Sequence, residues 1–120
     1  TVTSFGFKYG VPLDADLVFD VRFLINPHYI AEMRSFDGRD QPVEEYVMQD
    51  ELTKQFLQKL EDLIAFSLPH YEKEGKAYLN IAIGCTGGRH RSVVIANQLG
   101  NFLKRLGYRT IIDHRDVSKS

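Results

Sequence analysis

The sequence predicts an α/β fold, a single small sandwich of the three-layer type on a mostly parallel sheet of about four strands. Three observations carry that prediction. Residues 77–83 form a nearly continuous apolar run that includes Tyr78, Leu79, Ile81 and Ile83, the pattern of a strand covered on both faces. A glycine-rich turn follows, then a stretch from Gly88 to Leu106 with Ile95, Leu99, Phe102, Leu103 and Leu106 at helical spacing. A short apolar run at Tyr108–Ile112 comes next. Strand, helix and strand make one parallel crossover unit, for which the right-handed form is expected.

The other elements follow in chain order. Residues 2–9 mix β-branched and aromatic side chains, and residues 17–21, Leu-Val-Phe-Asp-Val, are a short apolar run after a polar loop; both read as strands. Residues 26–41 contain Asn26-Pro27 and Asp37-Gly38, turn pairs that predict an irregular segment long enough to be a functional loop. A short helix is expected from Pro42. A longer one is expected from Asp50, with Leu52, Phe56, Leu60, Leu63 and Ile64 as its core stripe and Pro69 kinking or ending it. Gly107 is suited to close the last helix in the left-handed conformation.

With 120 residues, 43% of them apolar, the chain fits one domain spanning 1–120. It starts at Thr1, directly in an apolar alternating segment, which raises the expectation of a domain excised from a longer protein. No segment approaches the roughly 20 apolar residues of a membrane span, and none resembles a signal peptide. One cysteine and four scattered histidines offer neither a disulfide framework nor a metal-ligand spacing. A soluble protein of the reducing cytoplasm is expected. The net charge of −1 conceals an asymmetry: 8 Lys/Arg face 14 Asp/Glu up to Gly84, whereas 7 face 2 from Cys85 onward. The basic C-terminal third suggests an anionic partner, a nucleic acid among them.

Residues 84–92 read Gly-Cys-Thr-Gly-Gly-Arg-His-Arg-Ser. At a strand-to-helix turn, backbone N–H groups without intrahelical partners point outward at the positive end of the helix dipole, an arrangement that favours an anion. Arg91 adds a planar fork matched to two phosphate oxygens. The same residues satisfy C-x-x-G-x-x-R-S, the phosphate loop of cysteine-dependent phosphatases, in which a thiolate attacks phosphorus. That reading makes Cys85 the nucleophile and asks Asp37 or Asp40 to serve as general acid. Gly84, however, stands where those enzymes carry a histidine.

Four motifs taken together point elsewhere. Residues 4–10, Ser-Phe-Gly-Phe-Lys-Tyr-Gly, residues 19–24, Phe-Asp-Val-Arg-Phe-Leu, residues 26–28, Asn-Pro-His, and residues 82–92 occur here in order. Across nearly the whole chain they resemble the C-terminal domain of the RapZ/YvcJ family, bacterial proteins similar to RNase adapters. The resemblance implies a phosphofructokinase-like fold, sensing of a phosphorylated amino sugar or sugar nucleotide, and self-association as dimers or tetramers. It also implies small-RNA binding in the RapZ branch, with an RNase as partner. ATP and GTP belong to the family's N-terminal P-loop domain; no G-x-x-x-x-G-K-[ST] occurs in this chain, so no cofactor and no catalysis are expected of it.

Carried over by position, the resemblance implies a ligand pocket of Lys8, Arg22 and His28 with Thr86, Gly87, Gly88, Arg91 and Ser92 from the turn; Asp20 or a substrate hydroxyl can take up the remaining donors. Each residue has a plainer role as well. Arg91 can pair with an acid, Thr86 and Ser92 can cap the helix, Cys85 can be a small buried side chain, and Lys8, Arg22 and His28 can be surface charges. RNA contacts are expected from Arg89, Lys104, Arg105, Arg109, His114, Arg115 and Lys119, with Asp113 and Asp116 interrupting the basic tail.

Overall fold

A computed structural model describes residues 1–119. Four strands, β1 (Val2–Gly6), β2 (Leu17–Asp20), β3 (Ile81–Cys85) and β4 (Ile112–His114), form one sheet in the order β2-β3-β1-β4, and every pairing is parallel. Three helices, α1 (Gln41–Met48), α2 (Glu51–Lys73) and α3 (Arg91–Arg105), accompany it. All five residues of β3 are buried, as expected of an interior strand of a parallel sheet. The register sets Gly6 beside Cys85 and Asp20 beside Gly84, so the loops leaving β1, β2 and β3 open at one end. In open parallel sheets this is the end that receives ligands.

Packing against α3 builds the core. Val2, Ile81 and Ile83 from the sheet meet Ile95, Leu99 and Leu103 from α3 and Leu57, Leu60, Ile64 and Leu68 from α2 in one buried cluster. Val43 and Val47 of α1 pack on Val94 of α3 in a smaller one. No helix among the described residues is long and apolar enough to cross a membrane.

Several boundaries differ from expectation for identifiable reasons. β1 stops at Gly6, not residue 9, because its end runs against the glycine turn: a Cβ on Gly6 would lie 2.4 Å from the Gly87 carbonyl carbon. The chain then coils into a 3-10 turn at Phe7–Tyr9. β3 occupies 81–85, not 77–83, which leaves Tyr78 84% exposed before it and draws Cys85 into the strand. The helix closes as foreseen at Gly107, with φ 95° and the Tyr108 N–H on the Leu103 carbonyl. Residues 108–111 are spent reaching the sheet, so the last strand is 112–114. The β3–α3–β4 crossover passes over β1, which lies between the two strands.

α2 continues through Pro69 to Lys73. Its end is closed instead by the Lys76 N–H on the Tyr71 carbonyl. Its buried stripe is Thr53, Leu57, Leu60, Ile64 and Leu68, rotated from the expected one, with Leu52 and Leu63 about half exposed. Two apolar rows run along this helix, and periodicity cannot choose between them; contact with α3 and the sheet does. On α3 itself, Leu106 lies beyond the last turn and is exposed.

Candidate functional site

The glycine turn spans residues 86–90, and α3 begins at Arg91 without a side-chain cap. Neither expected cap serves: Ser92 is fully buried with its Oγ 3.1 Å from Cys85 Sγ, and Thr86 Oγ1 takes a long contact of 3.5 Å from Arg91. The first-turn N–H groups of this fifteen-residue helix therefore lack side-chain acceptors at its positive end. Gly88 carries a φ of 79°, and a Cβ there would sit 2.6 Å from the Gly6 nitrogen. Only glycine meets both demands. The Lys8 N–H on the Thr86 carbonyl, 3.1 Å, ties the turn to the segment after β1.

Arg91 is the buried cation of the site, 5% exposed. One guanidinium nitrogen donates to the carbonyls of Arg22, 2.5 Å, and Leu24, 3.2 Å. Carbonyls fix its orientation without neutralising its charge; Asp20, paired with Arg22, acts on it through space but makes no hydrogen bond to it, and a buried cation so placed favours an incoming anion.

Around it lies a cavity of about 480 Å³ walled by Lys8, Arg34, Arg89, Arg91 and Lys119, with His28, His90, Tyr9, Tyr29, Asn26, Cys85, Thr86 and Gly87. Five Lys/Arg line it, and no Asp or Glu does. Cations gathered on low-dielectric walls focus a positive field into the space between them. One wall is the 26–40 loop, fastened to the turn by Gly38 N–H on the Arg89 carbonyl, 2.7 Å, and by His90 Nε2 at 2.7 Å from the Phe36 carbonyl. Because that acceptor is a carbonyl, Nε2 carries the proton. Burial, the largest influence, lowers the His90 pKa below the ordinary histidine value, against the hydrogen bond to the Phe36 carbonyl, which raises it. Arg34 Nε holds the His28 carbonyl at 2.8 Å. Arg89 Nε is a buried donor with no acceptor, a second unmet demand in the same wall.

The expected pocket residues divide into three groups. Lys8, His28, Thr86, Gly87 and Arg91 line the cavity; Gly88 and Ser92 lie behind it and shape it. Arg22 stands apart from the lining: its half-exposed guanidinium pairs with Asp20 at 2.6 Å and stacks over Phe7 at 3.9 Å, while its carbonyl holds Arg91. That pair engages both carboxylate oxygens of Asp20. Sequence reasoning missed Arg34, Asn26, Tyr9, Tyr29 and His90. For Asn26, Tyr29 and Arg34 the signal was the long 26–41 segment, whose length pointed to function without indicating which side chains turn inward; Tyr9 and His90 lay inside quoted motifs beside Lys8 and Arg91.

The expected RNA set is dispersed. Arg89 and Lys119 line the cavity. Arg115 grips Asp116 with both ends of its fork, at 3.0 and 2.8 Å, and His114 sits between Ser4 Oγ at 2.7 Å and Asn97 Oδ1 at 2.9 Å. Lys104, Arg105 and Arg109 stay exposed, at the end of α3 away from the cavity, about 20 Å along the helix axis. Asp116, expected to weaken a ragged basic tail, is instead fully buried.

The geometry gives a phosphatase little to work with. A Cβ at position 84 would meet the Phe5 ring at 2.4 Å, so the histidine of those enzymes has no room here. Asp37 is bound by Arg39, whose hydrogen bond lowers its pKa, and Asp40 accepts the Asp37 N–H at 2.9 Å. Neither lines the cavity.

Comparison with known proteins shows the family of the chain. The family described as the RapZ C-terminal domain matches residues 1–118. A nucleotide-binding protein of Desulforamulus reducens is 56% identical over 119 residues, covering 99% of this chain and 40% of that protein. Nucleotide-binding proteins of a Thermoanaerobacter species, 60% identical over 98% of this chain and 42% of that protein, and of Caldicellulosiruptor saccharolyticus, 59% over 99% and 41%, are equally similar. The chain thus spans about two fifths of the length of these curated relatives.

Proposed function

The chain belongs to the RapZ C-terminal domain family, and we propose that it is a non-catalytic sensor domain whose cavity binds a phosphorylated amino sugar or a sugar nucleotide. One observation carries this reading: five Lys/Arg line one cavity at an uncapped helix start, with no carboxylate among the described residues of its lining and Lys119 paired to Asp116 outside it. A phosphate monoester or diphosphate supplies the missing negative charge, and the N–H groups of the turn take its oxygens. Arg91 is the fixed fork. Lys8 and Arg34 adjust around it, while Asn26, Tyr9 and Tyr29 offer polar contacts and flat surfaces to a sugar. The name of the relatives, nucleotide-binding protein, describes proteins more than twice as long. We assign ATP or GTP binding to their remaining part, to which this domain reports ligand occupancy, and self-association belongs to the same reading.

Thermal-shift titration with amino-sugar phosphates and sugar nucleotides tests the proposal. At a ligand concentration of ten times Kd, linkage adds about 1.4 kcal/mol, a rise of roughly 5 °C in melting temperature. The shift disappears in Arg91→Ala and shrinks in the exposed, fold-neutral variants Lys8→Ala and Arg34→Ala. No shift with either ligand class at millimolar concentration rejects the sensor reading. Release of inorganic phosphate that requires Cys85 replaces it with the phosphatase. RNA binding remains a candidate for the exposed trio Lys104, Arg105 and Arg109, and filter binding at two salt concentrations decides it, since phosphate contacts weaken steeply with salt.

A further inference from the structure

Asp116 is fully buried, and the proposed binding site does not use it. Its Oδ2 accepts the Gly6 N–H at 2.8 Å and Arg115 at 2.8 Å; its Oδ1 accepts Arg115 Nε at 3.0 Å and Lys119 Nζ at 2.8 Å. Burial alone would raise its pKa and is the largest single influence. The hydrogen bonds from Arg115, Gly6 and Lys119 together outweigh it, and the pKa falls to about 2. The carboxylate is therefore charged at any physiological pH. It also lies against the turn, since a Cβ on Gly88 would come within 2.9 Å of Asp116 Cβ. One residue thus joins the end of β1, the glycine turn and the C-terminal tail.

Lys119 reaches the cavity wall from that tail on a long flexible stem, with its ammonium also 4.8 Å from the Tyr9 ring. About half of its side chain is exposed. Without an anchor, such a head group spreads into solvent and must be recovered from many rotamers when an anion arrives. We infer that Asp116 is the positioning residue of the cavity: it holds Lys119 at the rim beside Tyr9 and clamps the turn to Gly6, so that an anion meets an ammonium already in place. Arg115, bidentate on the same carboxylate, neutralises it, so the anchor does not cancel the charge it presents. The inference rests on the reading of the cavity as an anion site.

A double-mutant cycle tests it, with inorganic pyrophosphate as the probe in calorimetric titration of the whole chain at low salt. Asp116→Asn keeps an acceptor for Gly6 and removes the charge. It is expected to weaken binding five- to tenfold in the wild-type background and less than twofold in Lys119→Met, because the anchored group is then already gone. A purely structural role weakens binding equally in both backgrounds, and that result overturns the proposal. Tighter binding in Asp116→Asn also overturns it, since the carboxylate would then be competing with the anion. Should Asp116→Asn not fold, Asp116→Ser offers Gly6 an acceptor in less volume and enters the same cycle. Failure of wild type to bind pyrophosphate removes the anion site itself and this inference with it. Binding by wild type with an additive cycle removes the inference alone.

Discussion

At the carboxyl end of the sheet, Arg91, Arg89, Lys8, Arg34 and Lys119 converge on one cavity with no carboxylate in its walls. At the amino end, Lys104, Arg105 and Arg109 stand separately in solvent. The second group also lies among acids: Glu61 acts on Arg105 through space, and Arg109 lines a pocket with Glu72. Arg89, Arg91 and Lys119 come from the same basic third of the chain as the second group, whereas Lys8 and Arg34 come from the acidic part before it. Charge density along the sequence does not distinguish them; fixation does. Backbone carbonyls hold Arg91, the Ser35 carbonyl lies 3.4 Å from Arg89, and Asp116 holds Lys119, so their ordering entropy is spent before a ligand arrives. The far cations would have to pay it on binding.

This contrast can be broken at its strongest point first. Arg91→Ala should weaken ligand binding at least a hundredfold, about 2.7 kcal/mol at 1.36 per decade. It should also cost about 2–3 kcal/mol of stability in urea denaturation, because the carbonyls of Arg22 and Leu24 lose a buried donor. Unchanged binding would place the ligand elsewhere. Next, Gly88→Ala forces a Cβ into a left-handed conformation against Gly6 and should cost about 2 kcal/mol. The melting temperature reads that loss, and Gly10→Ala, also at positive φ but with nothing within 4 Å of its Cβ, should lose less.

Acid titration gives a smaller effect. The folded-state pKa values of His90 and His114 are lowered by burial, so the unfolded chain takes up protons first. Stability is then complete above about pH 6.5 and falls as pH drops below it. Asp116, also lowered, keeps its contribution above about pH 4 and loses it as pH falls toward about 2. Urea midpoints from pH 7.5 to 2 measure both phases, and His90→Asn should reduce only the first, leaving the part due to His114. The smallest effect belongs to the amino end. Replacing Lys104, Arg105 and Arg109 together by Ala should change anion affinity less than twofold and stability by at most about 0.5 kcal/mol. A larger loss of anion affinity would abolish the distinction between the two ends.

Much of the site could be read from residue types alone. Residues 84–92 combine glycines, hydroxyls and Arg91 at the start of an amphipathic helix, and backbone chemistry makes that an anion cradle whatever surrounds it. The α/β class was equally legible, because β3 is apolar throughout and α3 has one dominant apolar face. Other features were not. Arg22 and Lys8 look alike as cations after a strand, yet Asp20, two residues away, captures Arg22 while Lys8 keeps a place in the cavity wall. Arg34 sits in a segment without periodicity, where nothing local says which way a side chain turns.

The sequence by itself determined the parallel α/β class, the chemistry of the glycine turn, the helix stop at Gly107 and the family. Each depends on local backbone preference or on a pattern carried by adjacent residues. Only the tertiary structure decided which row of α2 is buried, that Asp116 organises the tail, and which of fifteen Lys and Arg residues meet in one cavity. Those outcomes depend on contacts between segments up to about a hundred positions apart, as Gly6 and Asp116 are. Burial and pairing energies there arise only once the sheet has brought the strand ends together.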